Sequence, residues 1–475
     1  MSKRSLHASR SERQQQTRRA ATRGIAVAIT VSLFAAILHY TYQLKVAPFF
    51  AYSGLTYREP NPFNYFIAIL ITALVALILP QHIERVSDFI LWIVYVLAVA
   101  PSILLAQYSQ TLPPDEATAM GLAIGATMAM AVILLRIGPK WHPNLARMDW
   151  GIDFWVLIGG FAFLIYGYMV LTTGLRLQLT ALTDVYDLRE SFGGRASGDR
   201  VVGYLVPVLR NVINPLLIAR GIGARRFLPL AAGSLGQLVI YASTGHKSVL
   251  FSVPAIIGLA MLFRLYRNRP PGVAVLVAVA TTSLLALVLD RITGSLLWTS
   301  LLSRRMMIVP GALTAAYVAV FGNRPRQNFA DVIPFVDDPY TATSPVNIVG
   351  AEFVGNINTA ANVNLFGHGY LNFGYLGMFI EGLVLVVLLI IANGATRGLP
   401  VMTSCAIFFV PSISFVSASV FTTALTHGFL AAVVVSLIAP STGWLGNSPT
   451  RGMAKLNKRT ALRRKVHRRG AGRVK

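Results

Sequence analysis

Long apolar runs recur along the whole chain and constrain its fold more than any other feature. Runs of about 18 or more mostly apolar residues are typical of helices that cross a membrane. Hydrophobic residues make up 55% of the 475 residues, and charged residues only 13%. A soluble domain of this length could not bury so many long apolar segments in its core. The sequence therefore predicts an all-α, polytopic membrane protein.

The apolar runs predict about twelve membrane-spanning helices, joined in part by long extracytoplasmic loops. The predicted spans are 24–44, 63–80, 88–107, 117–135, 151–174, 203–219, 227–243, 249–265, 272–289, 367–393, 399–417 and 419–439. The residues before the first run are too polar and basic for a cleaved signal sequence, so we expect this run to remain as a helix. An even number of spans places both termini on one side of the membrane.

Basic residues concentrate in two tails, 1–23 and 441–475, which flank a membrane domain over 24–440. These tails hold 18 of the 42 Lys and Arg residues. By the positive-inside rule, we expect both termini to be cytoplasmic in a multi-pass protein of the plasma (inner) membrane. The net charge of +24 is also found in nucleic-acid-binding proteins. Its placement favours membrane lipids as partners, and no nucleic acid.

The predicted connections differ in charge on the two sides of the membrane. Every short cytoplasmic connection is basic, and the basic residues are Arg85; Arg136, Lys140 and Arg147; Arg220, Arg225 and Arg226; Arg264, Arg267 and Arg269; and Arg397. Two predicted outer loops are long, 175–202 and 290–366. The apolar piece 306–322 is predicted to dip into the outer leaflet as an amphipathic or re-entrant segment, with a true span as the alternative.

Several basic residues on the predicted outer face form a candidate anion site. Helix N-termini normally attract acids, yet the helix predicted to begin near Thr244 and Gly245 offers His246 and Lys247 in its first turn and no acid nearby. Arg304 and Arg305 precede the dipping segment, and Arg291 lies in the same loop. Arg, Lys and N-terminal helix amides all bind phosphate. Salt bridges to outer acids and snorkelling at the interface are the structural alternative.

Arg210 is predicted to lie inside a span, beside Asn211 and Asn214. A charge at that depth is costly and usually faces a cavity or a partner. Glu381 is also predicted to be intramembrane, so the sequence leaves two interpretations open. Arg210 either pairs structurally with Glu381 or contributes to an anion site.

The stretch 362–382, NVNLFGHGYLNFGYLGMFIEG, is the most distinctive in the sequence. Its glycines and aromatics are typical of close helix packing and an interfacial belt, or of a polar floor beneath a cavity. The candidate acid–base residues are His368, His246 and Glu352, although a single histidine is more often structural. Cys405 is the only cysteine, and no metal site or cofactor is predicted.

Three segments resemble landmarks of the Wzy-type oligosaccharide repeat-unit polymerases, the O-antigen polymerase family. They are STGHKS at 243–248, SRRMMIVPGALTAAYVAVFGNRP at 303–325 and NVNLFGHGYLNFGYLG at 362–377. They occur in the family's order, with a large outer loop before the third. The resemblance covers roughly residues 200–440, while the preceding residues agree only in being hydrophobic.

The resemblance implies a GT-C-like membrane glycosyltransferase whose active site faces the extracytoplasmic side. Such enzymes transfer a growing glycan from a polyprenyl diphosphate carrier to a hydroxyl of the next lipid-linked repeat unit. By motif match, Lys247 and Arg304 or Arg305 inherit the binding of the carrier diphosphate. His368 stands where family members often carry an acid, which leaves the base open. Other cell-envelope glycan assembly proteins are candidate partners.

Three alternatives remain open at the level of sequence. A single-sugar GT-C transferase using a polyprenyl-phosphate sugar would need an acid in the first outer loop, where Glu59 is the one available. A glycan ligase would attach a finished chain to another acceptor. A lipid-linked oligosaccharide flippase or transporter would be a non-enzyme, and it is expected to show internal repeats.

Overall fold

The computed structural model describes residues 3–143, 151–173 and 200–444, and these residues form helices and no β-strand. The helices are α1 Ala21–Ser53, α2 Pro62–Ile78, α3 Val86–Tyr108, α4 Pro114–Ile137, α5 Asp153–Thr172, α6 Val201–Ala224, α7 Phe227–Thr244, α8 Lys247–Leu265, α9 Val273–Thr293, α10 Leu297–Phe321, α11 Pro345–Val354, α12 Leu365–Ala395, α13 Val401–Ser414, α14 Val420–Leu425 and α15 Phe429–Ile438. The helical segment that contains α1 begins at Lys3.

Ten of the helices in the described ranges are long and apolar enough to cross a membrane, which confirms a polytopic membrane protein. Nine of them coincide with predicted spans. The predicted spans 63–80, 399–417 and 419–439 correspond to helices of fewer than 18 residues. The tenth long helix is α10, where a shorter dipping segment was expected. Most of loop 175–202 and of tail 441–475 lies outside the described residues.

One end of the bundle, here called the basic end, collects the connections predicted to be cytoplasmic. The backbone N–H of Ile83 donates to the carbonyl of Pro270 at 3.0 Å. Ser87 and Asn393 exchange two hydrogen bonds of 3.1 and 2.9 Å. The Arg136 guanidinium donates to the carbonyl of Ile78. The α2–α3 connection therefore lies beside the α8–α9 connection and the ends of α4 and α12. Because all of these segments are basic, they were predicted to share one side of the membrane.

The opposite end, here called the cavity end, collects the connections that were predicted to lie outside. The backbone N–H of Arg58 donates to Tyr108 at 2.8 Å, and the Asn64 side chain donates to Asp115 at 3.1 Å. Gly54 lies against the backbone of Phe353, with a φ of +79° that favours glycine. Neighbouring helices thus alternate in direction between the two ends.

The first and last described parts of the membrane domain both reach the basic end. Gly24 lies beside Leu77 near the end of α2. After α15, Trp444 packs with the guanidinium of Arg220, whose central carbon lies 5.9 Å from the centroid of the indole ring. The end of α6 lies at the basic end, because Arg264 of α8 donates to the carbonyl of Ile222 at 3.0 Å. Residues 24 and 444 therefore lie at the same end of the bundle.

Helix α10 begins and ends at the cavity end, although its length would allow it to cross. At its start, the Asp290 carboxylate accepts hydrogen bonds from the N–H groups of Trp298 and Thr299 at 2.9 and 2.8 Å, beside the last turn of α9. At its end, Ala319 and Val320 share a small cavity with residues of the α1–α2 and α3–α4 connections. The contacts agree with the prediction of a segment that does not cross.

Helix α12 coincides with the span predicted over 367–393, but it is not straight. Phe373 and Gly374 have non-helical backbone angles, and Gly374 has a φ of +61°. In a straight helix, His368 and Glu381 would lie about 20 Å apart, yet their side chains are in contact. The segment 365–372 therefore folds back against the helix that continues from residue 375.

Candidate functional site

Glycines allow the two arms of α12 to pack backbone to backbone. A Cβ at Gly369 would lie 2.5 Å from the carbonyl oxygen of Gly377, and a Cβ at Gly377 would overlap the carbonyl of Gly369. Asn364 caps the short arm by accepting from the N–H groups of Phe366 and Gly367, both at 3.1 Å. The glycine-rich motif therefore encodes a tight hairpin rather than the start of a straight span.

This hairpin brings together three ionisable side chains, here called the acid–histidine trio: Asp331, His368 and Glu381. The His368 Nδ1 lies 2.5 Å from a Glu381 oxygen, and its Nε2 lies 3.0 Å from an Asp331 oxygen. Glu381 is fully buried, and its second oxygen accepts the N–H of Val420 at 2.9 Å. Asp331 remains about one third exposed, at 35%. The trio thus runs from the protein interior to an open surface.

The trio must share two protons. Each nitrogen–oxygen contact at hydrogen-bond distance needs one hydrogen between the two atoms, and a neutral imidazole supplies only one. An imidazolium between two carboxylates satisfies both contacts and leaves a net charge of −1. In this arrangement His368 donates at both nitrogens, so Asp331 is the member whose free lone pairs face solvent.

A loop between α10 and α11 delivers Asp331 to His368. Asn328 and Phe329 have φ values of 56° and 57°, a left-handed conformation that costs free energy outside glycine. The Asn372 side chain holds this turn by accepting the N–H of Phe329 at 2.5 Å. The ring of Phe329 also packs against Phe421, with centroids 5.4 Å apart. The strained turn is therefore fixed by contacts to α12 and α14.

The trio opens onto a polar cavity of about 450 Å³, here called the polar cavity. This volume lies within the usual range for small-molecule sites. Asp331 and His368 contribute to its wall together with Gln327, Asp338, Tyr340, Ser344, Asn362, Ser417, Ser419, Thr422 and His427. These side chains can donate or accept hydrogen bonds, and Tyr317, Pro345, Val346, Val363, Leu371 and Ala418 complete the wall.

Arg210 lies next to this cavity, but it does not pair with Glu381, whose partner is His368. Asn211 donates to the carbonyl of His427 at 2.9 Å. Arg210 is near enough to His427 for their charges to interact. The predicted structural pair is therefore wrong, and the alternative, a contribution to a site, stays a prediction.

The other two acid–base candidates lie elsewhere. Glu352 is exposed on α11 and forms an ion pair with Arg324, beside a separate small cavity. His246 precedes α8, and its Nδ1 lies 3.1 Å from the carbonyl oxygen of Thr244. Neither side chain lines the polar cavity. Among the three candidates, His368 is therefore the one that lines the polar cavity and contacts two carboxylates.

Four of the five residues predicted to bind a diphosphate lie along α8, α9 and α10, and the fifth, Arg210, lies on α6. Lys247 occupies the first turn of α8, and Arg291 is exposed in the last turn of α9. The Arg304 guanidinium lies 4.0 Å from the centroid of the Phe50 ring and donates to Ser300 at 2.7 Å. Arg305 is exposed beside it. None of the four lines the polar cavity as far as the described residues define it.

A large apolar cavity lies between α8, α9 and α10, here called the apolar groove. Its volume is about 860 Å³, and its walls consist almost entirely of hydrocarbon side chains. Its residues on α8 run from Phe251 to Leu265, which corresponds to about 20 Å of helix. Phe251 follows Lys247 by one turn, and Leu302 and Met306 flank Arg304 and Arg305 in sequence. Lys247 therefore lies one turn before the first groove residue of α8, and Arg264 lies in the groove wall near the other end of that helix.

Asp331 was not among the predicted site residues, and Arg210, which was one possible partner of Glu381, is not the partner that the structure shows. Asp331 precedes His368 by 37 positions in a loop without a motif, so only the folded chain shows their proximity. Glu381 and His368 are 13 positions apart, and side chains at that separation do not touch within one straight helix. The signal that was available is the glycine spacing around Gly374, which permits a hairpin.

Comparison with known proteins adds no family assignment. No protein-family model matches the chain, and neither curated proteins nor solved structures give a significant match. Among the described residues, no group of three or more His, Cys, Asp or Glu side chains is arranged to hold a metal ion.

Proposed function

We propose that this protein is a membrane glycosyltransferase that polymerises lipid-linked oligosaccharide units. The observation that carries the proposal is the acid–histidine trio at the wall of the polar cavity. A polar cavity of this size accommodates sugar hydroxyls, and a carboxylate at its surface can accept a proton from one of them. The resemblance of segments 243–248, 303–325 and 362–377 to the O-antigen polymerase family supports the same class of reaction.

In the proposed reaction, an acceptor hydroxyl attacks the anomeric carbon of the donor glycan. The bond between that carbon and the carrier diphosphate breaks, and the polyprenyl diphosphate leaves with the electron pair. The acceptor proton passes to the Asp331 carboxylate, whose orientation is fixed by the His368 Nε2–H. Glu381 is a positioning residue, because it holds the opposite nitrogen of the same ring.

The donor lipid is proposed to occupy the apolar groove. Its hydrocarbon tail would replace lipid or water along α8, and its diphosphate would lie near Lys247, Arg304 and Arg305. Negative charge develops on the leaving diphosphate as the sugar departs, and fixed cations stabilise that charge. This arrangement requires the donor sugar to extend from the groove toward the polar cavity.

The test is the pool of lipid-linked glycans in cells that lack the protein, sized by mass spectrometry. We expect one complete repeat unit to accumulate on its carrier, and the wild-type gene to restore polymer. A unit short of one sugar would instead indicate a single-sugar transferase. A complete polymer still on its carrier would indicate a ligase. An unchanged pool would contradict a role in glycan transfer.

Variants then separate the candidate bases. We expect Asp331→Asn and His368→Gln to reduce polymer formation by about 100-fold or more, which is the usual effect of losing general acid–base catalysis. Glu352→Gln is the matched control, because it removes an acid from the same end of the bundle but from another cavity. Loss of polymer in Glu352→Gln with normal Asp331→Asn would reverse the assignment.

A further inference from the structure

Two adjoining cavities open at the basic end of the bundle, far from the acid–histidine trio. Their volumes are about 310 and 460 Å³, and both are lined by Glu84, Arg85, Leu135 and Lys140. Their walls come from the start of α3, the end of α4 with the residues that follow it, and the turn between α12 and α13. We call this feature the basic cleft.

Basic side chains from separate parts of the chain converge on the basic cleft. The structure places Arg85, Arg136, Lys140, Arg269 and Arg397 in its walls. Within the described residues, the acids of the cleft are Glu84 and Asp88. Glu84 forms an ion pair with Arg269, and Asp88 accepts the N–H groups of Glu84 and Arg85 at 3.0 and 2.9 Å. The cleft therefore carries a net positive charge.

An apolar wall adjoins these cations. Leu135, Ile390, Leu399 and Trp141 line the first cavity. The ring of Trp141 packs so closely on α12 that a Cβ at Gly394 would overlap it. Tryptophan is enriched at the membrane–water interface. The cleft thus presents positive charge and hydrocarbon side by side, at the boundary where a lipid headgroup joins its chains.

We propose that the basic cleft binds the phosphate headgroup of an anionic phospholipid. The positive-inside bias requires only that basic residues be present on one face, whereas here four chain segments bring them into one concavity. Basic pockets between transmembrane helices are suited to anionic headgroups. The site is independent of the proposed transferase activity, because it lies at the opposite end of the bundle.

The test uses full-length protein, purified and reconstituted in nanodiscs with either phosphatidylglycerol or phosphatidylcholine. Bound lipid is first removed, and each phospholipid is then added back in increasing amounts. Native mass spectrometry counts the lipid molecules that stay bound to the protein. We expect selective retention of phosphatidylglycerol. Each charge removed by Arg85→Gln, Lys140→Gln or Arg397→Gln should weaken that retention about fivefold. Arg225→Gln, Arg226→Gln and Arg267→Gln are the matched controls, since these exposed residues lie outside the cleft.

A competition arm distinguishes the source of the phosphate. Displacement of phosphatidylglycerol by millimolar inorganic phosphate would mean that the cleft binds free phosphate, and it would overturn the lipid assignment. Equal retention of both lipids would also overturn it, as would equal losses in cleft and control variants. Thermal unfolding of each single variant shows that a loss of lipid does not arise from a loss of fold.

Discussion

At the scale of single residues, Glu381 decides whether the acid–histidine trio can form. It is fully buried and binds both His368 and the N–H of Val420. Glu381→Leu leaves a buried histidine and a backbone donor without their partner, so we expect a loss of about 3–5 kcal/mol in the free energy of unfolding. Denaturant titration of the detergent-solubilised protein measures this loss.

A milder substitution at Glu381 and a control at Glu59 are compared with Glu381→Leu. Glu381→Gln keeps the shape and an acceptor oxygen but loses the charge, so its cost should be about 1–3 kcal/mol. Glu59→Gln is the control, because Glu59 is exposed and accepts one hydrogen bond from Tyr57 at 3.0 Å. We expect it to change stability by no more than about 0.5 kcal/mol. Equal stability of all three variants and wild type would show that Glu381 is not held as described.

Gly377 is the residue on which the hairpin of α12 depends most. In Gly377→Ala, the new methyl group overlaps the carbonyl of Gly369, so the two arms must separate. We expect destabilisation of about 1–3 kcal/mol from overpacking, together with loss of polymer formation as His368 moves from Glu381. Chain-length analysis of the polymer and denaturant titration measure the two effects.

Gly159→Ala supplies the matched control for that substitution. A Cβ at Gly159 meets no atom within 4 Å, and the residue lies inside helix α5. Alanine is favoured over glycine there by about 0.5–1 kcal/mol, so this variant should be neutral or slightly more stable. A fully active Gly377→Ala would contradict the close approach of the two arms.

At the scale of elements, α10 is the helix whose path separates two topologies. Its contacts place both ends at the cavity end, so cysteines introduced at Ser295 and Asn323 should be labelled by an impermeant reagent from the same side. Replacement of the buried Cys405 by alanine gives a cysteine-free background. Labelling from opposite sides would show that α10 crosses the membrane, and the direction of the later helices would then be reversed.

The elements also show what a sequence can predict for this kind of chain. The lengths of the apolar runs in the sequence predicted nearly every long helix, because a membrane-spanning helix needs about 20 apolar residues. They did not show the break inside α12 at Phe373 and Gly374, since the hairpin depends on contacts between backbones that hydropathy does not contain. His368 was predicted as a site residue from the motif around it. Asp331 was not, because only the folded loop at Phe329 brings it next to His368.

At the scale of the whole molecule, the two ends of the bundle differ in charge. The basic end holds the connections that contain Arg85, Arg136, Arg269 and Arg397, with Glu84 and Asp88 as the acids of its cleft. The cavity end holds the trio and the acids Asp115 and Glu352, together with Arg58 and Arg324. The positive-inside rule assigns the basic end to the cytoplasm, which would place the polar cavity on the outer face.

That orientation gives a test of the whole arrangement. In the cysteine-free background, Glu59→Cys at the cavity end should react with an impermeant reagent added to intact cells, since Glu59 is exposed. Arg397→Cys at the basic end is equally exposed and should react only after the cells are opened. The opposite pattern would put the acid–histidine trio on the cytoplasmic side. Polymerisation on the outer face would then be impossible, although both cavities would remain as described.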